Sequence, residues 1–201
     1  MIDLIICLVL LIITHELGHY AAARSVHCKV ETVSLGFGKP ILYAKQIGKT
    51  IYQITPWILG GFVKLEGELE FSKSPTAFTN LRYLDKLLIA GAGCYINLLT
   101  GMWALMLGYI FNCYFLFLYG CLGVSLGIGN MLPFIPALDG SYTWMFALEK
   151  VCEKEKALKV IKKINFVSMI ILMILNVFCL PYFSKVEKNI HIIFTYIQST
   201  K

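Results

Sequence analysis

The chain has 201 residues, of which 58% are hydrophobic and 15% are charged, and its formal net charge is +6. Together with a positive mean hydropathy, this composition is typical of an integral membrane protein and departs from that of soluble domains. Nucleic-acid binding is not expected, because no basic run is interleaved with aromatic residues. Seven cysteines are scattered without a Cys-x-x-Cys pair, so we expect neither a disulfide framework nor a thiolate zinc site.

Four apolar stretches are each about as long as the ~20 residues that cross a ~30 Å hydrocarbon core. These predicted spans cover residues 2–24, 87–111, 114–132 and 164–183. Lys and Arg are unevenly distributed around them, with nine in 24–86 and six in 150–163, against three after residue 183. The positive-inside rule therefore places the basic segments in the cytosol, and the N-terminus and the C-terminal tail outside.

The first span contains the sequence HELGH at residues 15–19. On a helix, His15 and His19 project from the same face one turn apart, where two imidazoles can bind one tetrahedral metal ion. Glu16 lies beside that face, and the carboxylate at this place in such motifs takes a proton from the activated water. Ionisable residues in a membrane span are costly and functional by default, so we predict a metalloprotease that works within the bilayer.

A secretory signal peptide is the alternative interpretation of residues 1–24, because Ala21–Ala23 resemble a cleavage site. The start of the chain carries Asp3 and no basic residue, unlike the first part of a signal peptide. His15 and Glu16 would also interrupt the sequence just before the cleavage point. These features favour a retained first helix.

Residues 30–65 are rich in β-branched and aromatic residues and are punctuated by glycines, including Gly60 and Gly61. This pattern predicts three or four short strands joined by tight turns, in a small antiparallel β-meander on the cytosolic side. An exposed strand of that region could hold an extended peptide by strand addition.

A catalytic zinc ion usually takes three protein ligands and leaves one position for water. Outside the first span, the acid that ends an apolar span in an unusual context is Asp139, in a segment that begins at Asn130 and includes Pro133 and Gly140. Prolines exclude regular helix there, and irregular backbone at membrane depth is tolerated where it lines a cavity. Asp139 and His15–His19 are both expected toward the inner face, so they can share a metal. A turn-forming Asp-Gly just outside the membrane is the alternative.

Asn97 lies in the second span, about ten residues from its inner end and at a depth comparable to that of the histidines. Its amide could donate a hydrogen bond to a substrate carbonyl or a tetrahedral intermediate. A hydrogen bond between helices is the alternative role.

Several motifs that occur in order resemble the site-2 protease family of intramembrane zinc metalloproteases. HELGH at 15–19 looks like the family's metal motif, and GGFVK at 60–64 looks like its membrane-associated β-hairpin or loop. AGCxxN at 92–97 is similar to its Ala-Gly-Pro-x-x-Asn motif, and the segment 130–140 is similar to its Asn-Pro-Asp-Gly motif. The chain departs from the pattern in two places. Cys94 replaces the usual proline, and one residue more than usual separates Asn130 from Asp139.

The resemblance implies a role for each matching residue. It implies that His15, His19 and Asp139 bind one Zn²⁺ per chain. Glu16 would be the catalytic base, and Asn97 would assist the substrate or the oxyanion. The remaining motif residues would bind substrate or shape loops; these are Asn130, Pro133, Gly140, Gly60 and Gly61.

The fold and biology that the resemblance implies are those of a single membrane-embedded protease domain over residues 1–201. We expect an all-α polytopic membrane protein with about four transmembrane helices and a small cytosol-facing β-meander. The substrate would be a transmembrane or membrane-proximal segment of a membrane-anchored regulator in a bacterial cell membrane, such as a pro-sigma or anti-sigma factor, as for sporulation proteases. Membrane-protein regulators or a second copy of the chain are the other expected partners. A metal transporter and a non-catalytic membrane adaptor remain as alternatives.

Overall fold

The structure is a computed structural model that describes residues 2–68, 72–133, 135, 138–142, 146 and 154–200. The helices are α1 (Ile2–Ser25), α2 (Tyr83–Ile110), α3 (Tyr114–Asn130) and α4 (Lys154–Ser199), with short 3₁₀ turns at Phe78–Asn80 and Asp139–Ser141. The strands are β1 (Val30–Phe37), β2 (Tyr43–Ile47), β3 (Thr50–Ile54) and β4 (Trp57–Leu65). Helices α1, α2 and α3 pack against one another, and α1 also packs against β1 and β4.

Two of the described helices, α1 and α2, are long and apolar enough to cross a membrane. The predicted all-α fold with four transmembrane helices is therefore wrong, because the chain contains a mixed β-sheet and because the third span is too short. That span, predicted at 114–132, is the 17-residue helix α3, which ends at Asn130. The amides of Met131 and Leu132 close its last turn by bonding three residues back, and Pro133 follows. The early end frees the next segment to carry Asp139 toward α1.

The predicted fourth span, residues 164–183, lies inside α4, a single helix of 46 residues. Most side chains in that range fall outside the described residues. Near its C-terminal end, α4 packs on α3, where the rings of Tyr114 and Phe117 contact Phe194 at centroid distances of 5.7 and 5.2 Å. This contact joins α4 to α3 at the end of the molecule opposite the sheet.

The sheet has the strand order β2-β3-β1-β4. Strand β1 pairs parallel with β3 and antiparallel with β4, while β2 and β3 form an antiparallel hairpin. The predicted antiparallel meander is wrong in topology, because β1 and β2 follow each other in the chain without being neighbours. The hairpin folds back so that β3 lies beside β1, and β1 becomes a central strand whose Val30 packs in the core. Alternating apolar residues specify which face of a strand is buried, but they do not specify which other strand it pairs with.

Two apolar clusters hold α1 at its ends. The larger cluster joins the end of α1, the sheet and the start of α2, and its buried members are Ala23, Cys28, Val30, Leu65, Phe78, Ile89 and Phe146. The smaller cluster, at the start of α1, contains Leu4, Cys7 and Leu118. Between the clusters, α1 and α2 touch through their backbones, since a Cβ on Gly18 would lie 2.8 Å from the carbonyl oxygen of Ala92. The polar residues of the site lie at this close crossing.

Candidate metal centre

The two histidines of α1 face the same point. Residues four apart on a helix lie one turn apart on one face, and the Nε2 atoms of His15 and His19 are 3.2 Å from each other. His15 is buried and His19 is half-buried. The helix alone therefore brings together two nitrogen donors, as the sequence predicts.

Asp139 reaches this pair from the turn that follows α3. Its Oδ2 atom lies 2.9 Å from His15 Nε2 and 3.3 Å from His19 Nε2. Gly140 permits this approach, because a Cβ at that position would collide with the carbonyl of Met131 and lie 2.7 Å from the carbonyl carbon of Leu132. The structure thus brings together the three residues that the sequence picks out as metal ligands.

The arrangement fits a zinc ion. Zn–N and Zn–O bonds of ~2.0–2.1 Å at tetrahedral angles place the donor atoms about 3.3 Å apart. The three separations in this chain are 2.9, 3.2 and 3.3 Å. Two imidazoles and one carboxylate are also a donor set that zinc accepts in catalytic sites, with the fourth position left for water.

The second nitrogen of His19 is held by backbone. Nδ1 lies 2.7 Å from the carbonyl oxygen of Ile89 in α2, which can accept a hydrogen bond and cannot donate one. Nδ1 must therefore carry the proton, and Nε2 is left with its lone pair directed at the metal position. Such partners fix the tautomer and ring orientation of metal-binding histidines.

Asn97 lies behind His15. Its Nδ2 atom is 3.4 Å from His15 Nδ1, which is the nitrogen on the far side of the ring from Asp139. The Asn97 Oδ1 atom is 3.1 Å from the hydroxyl of Thr14, which is also 3.1 Å from the carbonyl oxygen of Leu11. A metal on Nε2 would require Nδ1 to carry a proton, and a 180° rotation of the Asn97 amide would supply the acceptor. Asn97 is thus placed to orient His15.

Asn130, at the last turn of α3, lies on the opposite side of the same ring. Its Nδ2 atom is 3.5 Å from His15 Nε2, the nitrogen that faces the metal position. Of the two amides, Asn130 is therefore the one on the side of the ring that faces the metal position. The resemblance to site-2 proteases implies instead that Asn130 binds substrate or shapes a loop and that Asn97 assists the substrate or the oxyanion.

Glu16 is half-buried beside the histidines and is covered by the sheet. A Cβ at Gly61 in β4 would lie 3.0 Å from Glu16 Cγ and 3.3 Å from a methyl carbon of Ile12. The missing side chain therefore lets β4 run directly against α1 at Glu16. Gly60 serves the sheet instead, because a Cβ there would collide with the ring of Phe37.

Gly93 in α2 has a role that sequence reasoning missed. A Cβ at this position would lie 2.7 Å from His15 Cε1, and it would overlap His19 Nε2. The signal that distinguishes Gly93 is its place in the 92–97 motif, four residues before Asn97.

Cys94 occupies the position at which the resembled family usually has proline. Its thiol donates a hydrogen bond to Asp139 Oδ2 at 3.3 Å, so it contacts the same oxygen that faces both histidines. Helix α2 runs continuously through this position. Pro133, a predicted loop-shaping residue, lies half-buried in the turn after α3.

Comparison with known proteins identifies the family. The chain matches peptidase family M50 over residues 3–113, which is more than half of its length. The chain belongs to peptidase family M50. This finding confirms the resemblance to site-2 proteases, and the matched range contains His15, Glu16, His19 and Asn97.

Several bacterial proteins provisionally named zinc metalloproteases are similar to this chain. One from Campylobacter jejuni is 34% identical over 128 residues, covering 61% of this chain and 30% of the relative. One from Neisseria meningitidis is 32% identical over 139 residues, covering 67% and 28%. One from Rickettsia conorii is 33% identical over 143 residues, covering 68% and 38%.

The matched part of the chain thus spans about a third of the length of these relatives. The family, the two apolar helices and the composition agree that this is a membrane protein. The zinc named for the relatives also agrees with the cluster of His15, His19 and Asp139, whose ligand atoms all lie within 4.8 Å of one another.

Proposed function

We propose that the chain is an intramembrane zinc metalloendopeptidase, or the catalytic part of one, which cleaves a transmembrane or membrane-proximal segment of a membrane-anchored regulator. The observation that carries this proposal is the convergence of three ligands from two distant parts of the chain beside Glu16. His15 and His19 come from α1, and Asp139 comes from the turn after α3, with ligand atoms within 4.8 Å. Among the described residues the group consists of these three ligands, which leave a fourth position for water. A structural site would instead be closed by a fourth protein ligand.

His15, His19 and Asp139 would hold the zinc ion, which when bound polarises a carbonyl and lowers the pKa of water to about 7. Glu16 accepts one proton from the attacking water, whose oxygen forms a bond to the scissile carbonyl carbon. The C–N bond then breaks, and Glu16 returns the proton to the leaving amine. The Asn130 amide, 3.5 Å from His15 Nε2, donates a hydrogen bond to the carbonyl oxygen as negative charge develops on it.

The sheet supplies a place for an unwound substrate. Strand β4 pairs with β1 along one edge, and within the described part of the chain its other edge has no partner strand. Gly61 lets that strand lie against Glu16, because a Cβ added to Gly61 would lie only 3.0 Å from Glu16 Cγ. An extended peptide added to the free edge of β4 would therefore pass next to the catalytic glutamate. A helical substrate must unwind first, because its carbonyls are otherwise hydrogen-bonded within the helix.

The same proposal gives the site an orientation. The charge distribution supports a multi-pass protein in a bacterial cell membrane with the sheet and the metal centre toward the cytosol. Membrane-anchored transcription regulators such as pro-sigma or anti-sigma factors are substrates of suitable topology, because their release would follow from a cut near the cytosolic face.

The decisive experiment is co-expression of the chain with a panel of membrane-anchored reporter substrates, followed by detection of the released fragment. Glu16→Gln should abolish cleavage while the purified protein keeps its zinc, because Glu16 is not a ligand. Glu31→Gln is the matched control, since Glu31 makes a half-exposed ion pair with Lys64 on the sheet at 2.8 Å. Cleavage that persists in Glu16→Gln at the rate of Glu31→Gln would disprove the proposal.

A further inference from the structure

A second carboxylate outside every motif lies near the metal centre. Glu68, in the turn after β4, accepts a hydrogen bond at Oε2 from the Leu65 amide at 3.1 Å. At Oε1 it accepts a short hydrogen bond from the hydroxyl of Tyr142. Burial raises the pKa of Glu68 above its usual range, and these two hydrogen bonds oppose that rise. Each of the two carboxylate oxygens of Glu68 thus accepts a hydrogen bond from a partner within the chain.

Tyr142 belongs to the turn that carries Asp139. Its backbone amide donates to the carbonyl oxygen of Asp139, so the two residues are the first and last of one hydrogen-bonded turn. Between them, Ser141 is only 1% exposed. The position of the Tyr142 side chain therefore bears directly on the position of the third metal ligand.

Both partners of the hydrogen bond are themselves anchored. The ring of Tyr142 packs against Phe78 and Phe146, with centroid distances of 6.0 and 5.7 Å. The turn that holds Glu68 is attached to the residue before β1 and to the 3₁₀ turn before α2. The Glu66 amide donates to Lys29 O at 2.9 Å, and the Glu66 carbonyl accepts from the Phe78 amide at 2.7 Å. A hydrogen bond between two anchored groups can fix a distance between the elements that carry them.

We propose that Glu68 and Tyr142 are a pair of positioning residues that tie the Asp139 turn to the end of β4 and so hold the third zinc ligand against His15 and His19. The Glu68–Tyr142 hydrogen bond then fixes the position of the Asp139 turn relative to β4, the strand that covers Glu16. The pair touches neither substrate nor metal, and it acts through the placement of Asp139.

This inference rests on the zinc centre of the proposed function, and its test uses zinc affinity instead of cleavage. Zinc would be titrated into the full-length protein in detergent in competition with a chelating dye. Tyr142→Phe and Glu68→Ala should each weaken zinc binding by about 10- to 100-fold, the range found for partners of metal ligands. The double variant should be little weaker than either single one, because each substitution removes one partner of the same hydrogen bond.

Tyr114→Phe is the matched control, since it removes the same atom from a phenol that donates to Glu187 O at 3.2 Å near the far end of α3. It should leave zinc affinity unchanged. Thermal unfolding of each zinc-free variant separates positioning from folding: equal melting temperatures with weaker zinc binding support the inference. If Tyr142→Phe and Glu68→Ala melt earlier and bind zinc as tightly as Tyr114→Phe, the pair is merely structural and the inference is wrong. If the wild type itself fails to bind zinc, the proposed function fails as well.

Discussion

Replacing Gly93 with alanine tests how closely α2 is packed against the two imidazoles. The substitution adds one methyl group to the face of α2 that meets His15 and His19. In a helix interior alanine is favoured over glycine by about 1 kcal/mol, so helix propensity alone would make the variant more stable. Any loss of metal binding must therefore come from the contact that the methyl group makes.

The size of the effect follows from the distances. The added Cβ would lie 2.7 Å from His15 Cε1 and 2.8 Å from His15 Nε2, with His19 Nε2 nearer still. Carbon atoms normally keep about 3.5–4.0 Å from such neighbours, so the rings or α2 would have to move by roughly 0.7–1.3 Å. Bonds to a metal tolerate changes of only about 0.2 Å. We expect zinc affinity to fall by at least the ~10- to 100-fold that is typical of lost support around a metal ligand.

Zinc content after purification and zinc affinity by chelator competition measure this loss. Gly91→Ala is the matched control, because it makes the same change two residues earlier in α2, where a Cβ would meet no atom within 4 Å. The control should bind zinc like the wild type and unfold at an equal or higher temperature. If Gly93→Ala binds zinc as tightly as Gly91→Ala, the close approach of α2 to the imidazoles is wrong.

Three further predictions address the remaining parts of the site. Asn97→Ala should weaken zinc binding by about 10- to 100-fold in chelator competition, because it removes the partner of His15 Nδ1; an unchanged affinity with slower turnover would instead favour the oxyanion role. Gly61→Ala places a Cβ 3.0 Å from Glu16 Cγ and 2.9 Å from Ser34 O, so cleavage of a reporter should slow while zinc content stays constant. Removing zinc with a chelator should stop cleavage and lower the melting temperature, since a ligand at 100 times its Kd adds about 2.7 kcal/mol of stability. Added Zn²⁺ should restore both properties, and Mg²⁺ should not, because imidazole suits zinc and oxygen ligands suit magnesium.

The three candidate metal ligands could be predicted from the sequence because each carries a signal that does not depend on tertiary structure. His15 and His19 are four residues apart, which places them on one face of a helix. Ionisable residues are costly in an apolar span, so their presence there indicates a function. Asp139 stands out because prolines exclude regular helix just before it. The positive-inside rule then places all three toward the same side of the membrane, so their convergence could be anticipated without knowing the packing angle of any helix.

The roles of the surrounding residues could not be found in this way, because they depend on distances between helices. The position of Asn97 along α2 indicates its depth in the membrane, but depth does not say which side of an imidazole ring the amide will contact. In the structure Asn97 meets His15 Nδ1 at 3.4 Å, and Asn130 lies 3.5 Å from Nε2 on the other side. The close crossing of α1 and α2, which Gly18 and Gly93 allow, determines that Asn97 contacts the Nδ1 side of the His15 ring.

The order of the strands in the sheet also depends on contacts that the local sequence does not specify. Local alternation predicted strands in 30–65 but carried no information on the long-range pairing that puts β1 between β3 and β4. In a simple meander β4 would pair with β3, and β1 would lie at an edge. Because β4 pairs with β1 instead, the outer edge of the sheet next to α1 belongs to the strand that carries Gly61 and covers Glu16. The observed pairing therefore places β4 beside the central strand β1 and against Glu16, and within the described residues the outer edge of β4 has no partner strand. Residues 57–65 by themselves could not reveal this arrangement.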